Sequence, residues 1–421
     1  MCGIAGFLLG KRRLEPAILG NMATAMAKAV SHRGPDAHGV WVDADAGLAF
    51  GHTRLRVIDL SEAGAQPIVS PSERYVLNYN GELYNFAALR RMLIDHGQEF
   101  RGHSDTEVLL SSIDTWGLEK TLDRANGMFS FALWDRAERK LLLARDRVGK
   151  KPLYYGSCED TFLFASELRG LRAFPGFSAK VDRPALSQFV RFGYISQPLS
   201  IYEGIHKLPP GGILEVDPRN VSDVAKLRLY WSAKNVAEDG ERTPFSGDYS
   251  EAVDTLDSLL RDAVGQRMVA DVDLGALLSG GVDSSTVVAI MQSLGDRPAK
   301  TFSVGFRESR YNEAPHASAV ARHLGTQHHE YILAPDECLD ILHELPRIYD
   351  EPFADVSQIP TYLICRAARE RVTVVLTGDG GDETFAGYRR YSEILNFWRR
   401  FGWMPAPTNP TSATRHAFRL M

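Results

Sequence analysis

The chain has 421 residues, enough for two or three domains with substantial cores. Its 44% apolar and 24% charged content is that of a soluble globular protein, and a formal charge of −5 without a basic tail or patch argues against nucleic acid as a partner. No apolar run approaches the roughly 20 residues that span a bilayer, so no membrane partner is expected. The apolar stretch Ile4 to Leu9 is followed by Lys11-Arg12-Arg13, the reverse of a signal peptide. Cys2, Cys158, Cys338 and Cys365 are scattered, with neither zinc-site nor disulfide-framework spacing, which fits a reducing cytoplasm.

Met1-Cys2-Gly3 is the first chemical feature. Removal of Met1 would leave Cys2 with a free α-amine, ordinary pKa about 8, able to act as base for its own thiol. A polar loop follows at His32-Arg33-Gly34-Pro35-Asp36. Arg54 then opens an alternating stretch, Leu55 to Leu60, that predicts a strand. Tyr75 to Tyr79 predicts another, running into Asn80-Gly81-Glu82. Asn-Gly taken alone signals a hairpin turn. Asn85 is placed to cap a helix over Phe86 to His96, and Ser104-Asp105-Thr106-Glu107 has capping-box spacing before a helix over Val108 to Trp116. At Asp105 the simplest role is helix-start electrostatics. Strands are predicted at Phe129 to Trp134, Lys140 to Ala144 and Thr161 to Ala165. Asp146 to Tyr155 reads generically as a basic surface turn. Leu208-Pro209-Pro210-Gly211-Gly212 and the polar run Lys234 to Asp248 mark a linker zone.

Beyond the linker, Tyr249 to Met268 predicts an amphipathic helix with Val253, Leu256, Leu259, Leu260 and Val264 on one face. Leu274 to Leu278 reads as a buried strand feeding Ser279-Gly280-Gly281-Val282-Asp283-Ser284-Ser285 and then a helix to Leu294. Strand, glycine turn and helix start aim backbone N–H groups at one point, a place for phosphate. Asp283 in that turn makes sense beside phosphate only if Mg2+ screens it. No lysine lies in the turn, so it is not a Walker loop. Strands at Lys300 to Phe306, His328 to Leu333 and Val372 to Leu376 alternate with helices at Glu313 to Leu324, Pro335 to Ile348 and Pro360 to Arg371, predicting a parallel doubly wound sheet. The last strand feeds Thr377-Gly378-Asp379-Gly380-Gly381-Asp382-Glu383. Both loops lie at strand C-termini, where such sheets bind ligands, so they can share a site, with Asp382 and Asp283 sharing Mg2+. His328-His329 points to opposite faces of a strand, which disfavours a metal site there.

The first 200 or so residues resemble the class II glutamine amidotransferases, in the Cys2 terminus, Arg54, Asn80-Gly81-Glu82 and Asp105 and in the Asp146 to Tyr155 element. The resemblance implies an α+β N-terminal nucleophile hydrolase sandwich. It assigns Cys2 as nucleophile, its amine as base, and Asn80 with the Gly81 N–H as oxyanion hole. Arg54 would bind the glutamine α-carboxylate, Glu82 and Asp105 its ammonium, and the Arg33 to Asp36 loop would close over the site. The second half resembles the synthetase domain of glutamine-hydrolysing asparagine synthetases, in Ser279 to Ser285, Phe302-Ser303-Val304-Gly305, Glu351-Pro352 with Asp355 and Ser357, and Gly378 to Tyr388. That implies an ATP-pyrophosphatase fold. Leu278, Val304, Thr377 and Gly378 would line the nucleoside pocket, and Ser279, Gly280, Gly281, Asp283 and Ser284 would hold pyrophosphate and Mg2+. Asp379, where many members carry Glu, would lie near the acyl-adenylate.

The expected organisation is a glutaminase domain over 2–205, a linker over 206–248 and an ATP-binding domain over 249–421. The expected activity is asparagine synthesis from glutamine, aspartate and ATP through β-aspartyl-AMP, with AMP and pyrophosphate released. Alternatives are amidation of a cell-envelope or secondary-metabolite carboxylate by the same machinery, a bare glutaminase, or a nucleotide-binding regulator. The sequence leaves the oligomeric state open, with a homodimer as the prior. The family's Arg-x-Pro-Phe-Leu-Asp element and later lysine have no counterpart in residues 392–421, which predicts a truncated synthetase that hydrolyses glutamine slowly and makes little asparagine.

Overall fold

The computed structural model describes residues 1–11, 13–221, 226–307 and 312–402. The stretch Met404 to Pro410, expected to end the last helix, lies outside them. The first half contains β1 (Gly3–Leu9), β2 (Ala37–Asp43), β3 (Leu48–Arg54), β4 (Ile68–Val69), β5 (Tyr75–Leu83), β6 (Gly127–Asp135), β7 (Lys140–Arg145), β8 (Tyr154–Cys158), β9 (Thr161–Ala165), β10 (Ile205–Lys207), β11 (Gly212–Val216) and β12 (Lys226–Leu229). They form two sheets ordered β10-β8-β9-β1-β3-β2 and β12-β11-β7-β6-β5-β4.

Side-chain alternation explains the layers. From β1, Ile4 and Leu8 face the inter-sheet core with Phe50, Trp134, Leu143 and Leu214. Ala5, Phe7 and Leu9 face outward, where the helix Pro16–Ala29 covers them through Leu19, Ala23 and Met26. The helices Phe86–Asp95 and Asp105–Trp116 cover the other sheet, packing Leu89, Leu93 and Val108 on Leu77 and Tyr79. The result is the expected α+β sandwich.

In the second half β13 (Leu274–Leu277), β14 (Lys300–Phe306), β15 (Gln327–Leu333) and β16 (Val374–Leu376) form a parallel sheet ordered β15-β14-β13-β16. The helices Val282–Leu294 and Ala314–Leu324 pack on one side through Val288, Met291 and Ala317. The helix Gln358–Arg369 packs on the other through Ile364 and Ala368 against Phe302. This is the doubly wound arrangement the alternation predicts.

Several local expectations are corrected. Residues 55–60 are not a strand: β3 ends at Arg54, and the chain then turns through Asp59 (φ 60°). That segment serves the contact between halves, with Asp271 N donating to Val57 O at 2.9 Å and Asp59 N donating to Asp271 Oδ2 at 2.7 Å. Asn80-Gly81 is not a turn but the interior of β5, where Gly81 faces Phe129. A Cβ on Gly81 would lie 2.4 Å from Met128 O, so the glycine permits close strand approach. Asn85 does not cap its helix; its side chain accepts from Asn126 N and donates to Arg124 O. The segment 206–229, placed in the linker, instead supplies three strands to the sandwich. Pro209, Pro210 and Gly211 sit at the turn between the first two of them. The helix Pro335 to Ile348 is two, Pro335–Leu342 and Leu345–Ile348. Along the helix Tyr249–Arg267, Leu260 and Val264 reach the core whereas Val253, Leu256 and Leu259 are exposed.

Candidate active sites

β1 and β3 are antiparallel neighbours, with Gly3 opposite Thr53. Cys2 and Arg54 therefore emerge together at one sheet edge. β5 brings Asn80, Gly81 and Glu82 from the other sheet, and the helix Asp105–Trp116 brings its first residue. All six line one cavity of about 310 Å3, with Gln66, Thr106 and Lys151. The other half of the molecule contributes Thr373, Val374 and Val375, at the start of β16, to its wall.

Each group has a fixed setting. Arg33 Nε donates to the Cys2 carbonyl at 2.9 Å, so the predicted loop grips the Cys2 main chain. The Cys2 thiol, 3.8 Å from Leu55 O, is pushed up in pKa by burial, with Arg54 pulling the other way. Arg54 is aimed by two carbonyls, donating to Ser61 O at 2.8 Å and to Asp59 O. A side chain on Gly64 would collide with that guanidinium. Asn80 is 1% exposed, and neither its Nδ2 nor its Oδ1 has a hydrogen-bond partner within the protein. A buried amide left open costs roughly 1–3 kcal/mol, and its position at the cavity wall marks it as a group kept for a ligand. Asp105 Oδ2 accepts from Tyr79 Oη at 3.0 Å and Leu83 N at 2.8 Å. Burial raises the pKa of both Asp105 and Glu82. A cationic ligand group would restore their charge.

Met1 also lines this cavity, and its Sδ lies 2.8 Å from Lys151 Nζ. Burial holds the Met1 amine down at about 5 and the Lys151 ammonium at about 8. The generic reading of Asp146 to Tyr155 as a surface turn is thus corrected. Asp146 is fully buried and accepts from the backbone N–H groups of Phe129, Val148, Lys150 and Lys151, folding the turn so that Lys151 points inward. The sequence signal for Lys151 was the aspartate five residues before it, able to tie a tight turn. Gln66 carried no such signal; its Oε1 accepts from Tyr79 N at 2.8 Å.

The second centre lies where β13 and β16 end side by side. Gly280 takes φ +81°, and a Cβ there would lie 2.7 Å from Ala317 N. Ser284 Oγ bonds Ser279 Oγ at 2.9 Å and closes the turn. The helix Val282–Leu294 has no side-chain cap, leaving its leading N–H groups for an anion. The two glycine loops touch: a Cβ on Gly378 would lie 2.7 Å from Ser284 N, and one on Gly381 2.3 Å from Asp283 Oδ2. Leu278 is buried, and Val304 half-buried on β14. Thr377 Oγ1 donates to exposed Asp379 at 3.0 Å. Among the described residues no three Asp, Glu, His or Cys side chains converge as a metal site. Mg2+ commonly takes one or two carboxylates and completes its shell with phosphate and water. Asp283, lying against the residue that precedes Asp382, fits that donor set. His328 bonds Thr301 and Ser303, whereas His329 stacks on Phe302, so the pair faces two ways as expected. No described helix is long and apolar enough to cross a membrane.

Residues 1–231 match the glutamine amidotransferase domain family and residues 255–420 the asparagine synthase family. A Methanocaldococcus jannaschii protein bearing the glutamine-hydrolysing asparagine synthetase name is 35% identical over 95% of this chain and 77% of its own length. Asparagine synthetase 1 of Bacillus subtilis is 34% identical over 94% of this chain and 60% of its own. Asparagine synthetase B of Escherichia coli is 32% identical over 94% and 66%. The chain thus spans about three-fifths to three-quarters of the length of these relatives. With an amidotransferase half, a synthase half and this level of identity across both, the chain belongs to the glutamine-hydrolysing asparagine synthetase family.

Proposed function

We propose that this chain hydrolyses glutamine at Cys2 and uses the ammonia, with ATP, to convert aspartate to asparagine. The observation that supports this most directly is the unpartnered Asn80 amide beside the Cys2 thiol, in a cavity that also holds Arg54, Glu82 and Asp105. Loss of Met1 frees the Cys2 amine. The burial that holds the Met1 amine at about 5 would keep its successor neutral and able to take the thiol proton. Attack on the side-chain amide of glutamine gives a γ-glutamyl thioester and ammonia, and water then cleaves the thioester to glutamate and the free thiol. Asn80 Nδ2 and the Gly81 N–H receive the oxyanion, each such donor being worth about 3 kcal/mol. Arg54 binds the α-carboxylate, and Glu82 and Asp105 the α-ammonium.

In the second centre Leu278, Val304, Thr377 and Gly378 take the nucleoside, while Ser279, Gly280, Gly281 and Ser284 take the pyrophosphate. Mg2+, held by Asp283 and Asp382, would supply charge neutralisation at the phosphates. The β-carboxylate of aspartate attacks the α-phosphorus of ATP and expels pyrophosphate, giving β-aspartyl-AMP near Asp379; ammonia then attacks the acyl carbon and AMP leaves. The wall at Thr373 to Val375 supports transfer between centres, because the strand that closes the cavity also feeds the Gly378 loop. Protection from water matters because ammonium has no lone pair for attack.

The test compares nitrogen donors. Cys2→Ala should abolish glutamine hydrolysis and glutamine-dependent asparagine formation, a loss of at least about 1,000-fold, and leave ammonia-dependent AMP formation intact. Equal loss with both donors would overturn the assignment.

A further inference from the structure

A line of ion pairs leaves the nucleophile and ends in the other half of the molecule. Arg33, whose Nε holds the Cys2 carbonyl, places Nη1 2.7 Å from Glu167 Oε1. Glu167 Oε2 lies 3.0 Å from Arg169 Nε. The same Nε donates to Asp350 Oδ1 at 2.7 Å, Arg169 N donates to Asp350 Oδ2 at 3.0 Å, and Nη2 donates to Arg347 O at 2.5 Å. His32 Nε2, 3.0 Å from Glu167 Oε2, is the other titratable group on this carboxylate. Asp350 directly precedes the Glu351-Pro352 pair that the sequence assigns to the synthetase half.

The side chains of Arg33, Glu167, Arg169 and Asp350 are 7%, 14%, 23% and 11% exposed, so solvent screens one pair from the next only weakly. Burial pushes the Glu167 carboxyl up in pKa, but the His32 hydrogen bond and the Arg33 charge more than offset this, so its net shift is downward. Glu167 is thus a single anion divided between two guanidiniums. Asp350 neutralises Arg169, which leaves Glu167 to Arg33. Withdrawing Asp350 would turn Arg169 towards Glu167 and loosen the grip of Arg33 on the Cys2 main chain. A second tie to the same segment, Lys207 Nζ to Glu351 Oε2 at 2.5 Å, ends instead at Ile195 O and Ile201 N and does not reach Arg33.

We infer that Glu167 and Arg169 are positioning residues that transmit the placement of the Asp350 segment to the main chain of the nucleophile. Only the kinetic arm of the test below rests on the function proposed above.

The test uses the full chain with two readouts: kcat and KM for glutamine hydrolysis, and the rate of Cys2 alkylation by iodoacetamide, resolved by peptide against Cys158. Asp350→Asn should lower kcat about 5- to 10-fold with KM changed less than about twofold, and shift the Cys2 alkylation rate at least about threefold. Arg169→Lys, which keeps the charge but loses the fork, should fall between parent and Asp350→Asn. Lys207→Met, which breaks an interface tie off the line, should leave both readouts within about twofold. Added to Glu167→Gln, the Asp350→Asn change should have no further effect. Equal effects of Asp350→Asn and Lys207→Met would reduce the line to interface adhesion and overturn the inference, as would independent, multiplying effects in the double variant. If the parent hydrolyses no glutamine while alkylation follows this pattern, the glutaminase reading fails and the positioning line stands.

Discussion

The two halves solve the problem of holding a charged ligand in opposite ways. In the first, Cys2, Arg54, Asn80 and Asp105 are held by hydrogen bonds and neighbouring strands with no ligand present, and Arg54, Asn80 and Asp105 are buried. The site carries the cost in advance, as raised carboxyl pKa values and an unsatisfied amide. In the second, Asp379 is exposed, Asp283 and Asp382 are half-exposed, and the helix start beneath them is uncapped. On the function proposed above, the nucleotide and its cation would bring the missing partners there. Preorganisation favours a transition-state charge that appears and vanishes each turnover. An open anion cradle suits a polyanion that carries its own Mg2+.

That contrast can be broken by experiment. The largest effect is expected at the unpartnered Asn80 amide, proposed above to receive the oxyanion: Asn80→Ala should cut kcat for glutamine hydrolysis about 100- to 1,000-fold with little change in KM. A loss confined to KM would make Asn80 a ground-state binder. Next comes the cost of a buried frame that stays neutral. His52 is 1% exposed in the sandwich, held to Asn78 at 2.9 Å, and burial lowers its pKa from 6.5 to about 4. The unfolded chain therefore takes up a proton first as pH falls. The stability His52 contributes is complete above about pH 6.5 and lost towards pH 4, by about 3 kcal/mol. Urea midpoints across that range should fall in the parent and flatten in His52→Gln. A parent slope matching the variant would remove His52 from the account. The smallest effect is expected in the open centre. Asp283→Asn should weaken Mg-ATP binding about tenfold, measured by titration calorimetry, and leave glutamine hydrolysis within about twofold. Unchanged Mg-ATP affinity would take Asp283 out of the cradle.

How much of this was legible in the sequence follows the same divide. The second centre was readable because its chemistry is local: a strand, a glycine turn and a helix start are contiguous, and Gly280 needs positive φ where it stands. The first was readable residue by residue only through resemblance. Asn80-Gly81 looks like a turn because the reason for Gly81, the backbone at Met128 across the sheet, lies 47 residues away. Leu55 to Leu60 alternates like a strand but is spent on Asp271, and Asn85 looks like a cap but is used by Asn126. Arg33 has a neighbour in Glu167 that no window could connect to it. Residues 206–229 read as linker because strands of three to five residues, two of them at sheet edges, carry little alternation to detect.

β16 is three residues long, yet it belongs to both compartments at once: its start walls the amidotransferase cavity and its end delivers the Gly378 loop. A divided surface of this kind makes the two halves poor candidates for separate expression. Cutting the chain near residue 245, between the helices Ala233–Arg242 and Tyr249–Arg267 and between the two matched families, would still unroof the Cys2 cavity along Thr373 to Val375, opening it to bulk solvent. Modularity in this molecule is a property of its sequence families, not of its reaction chambers.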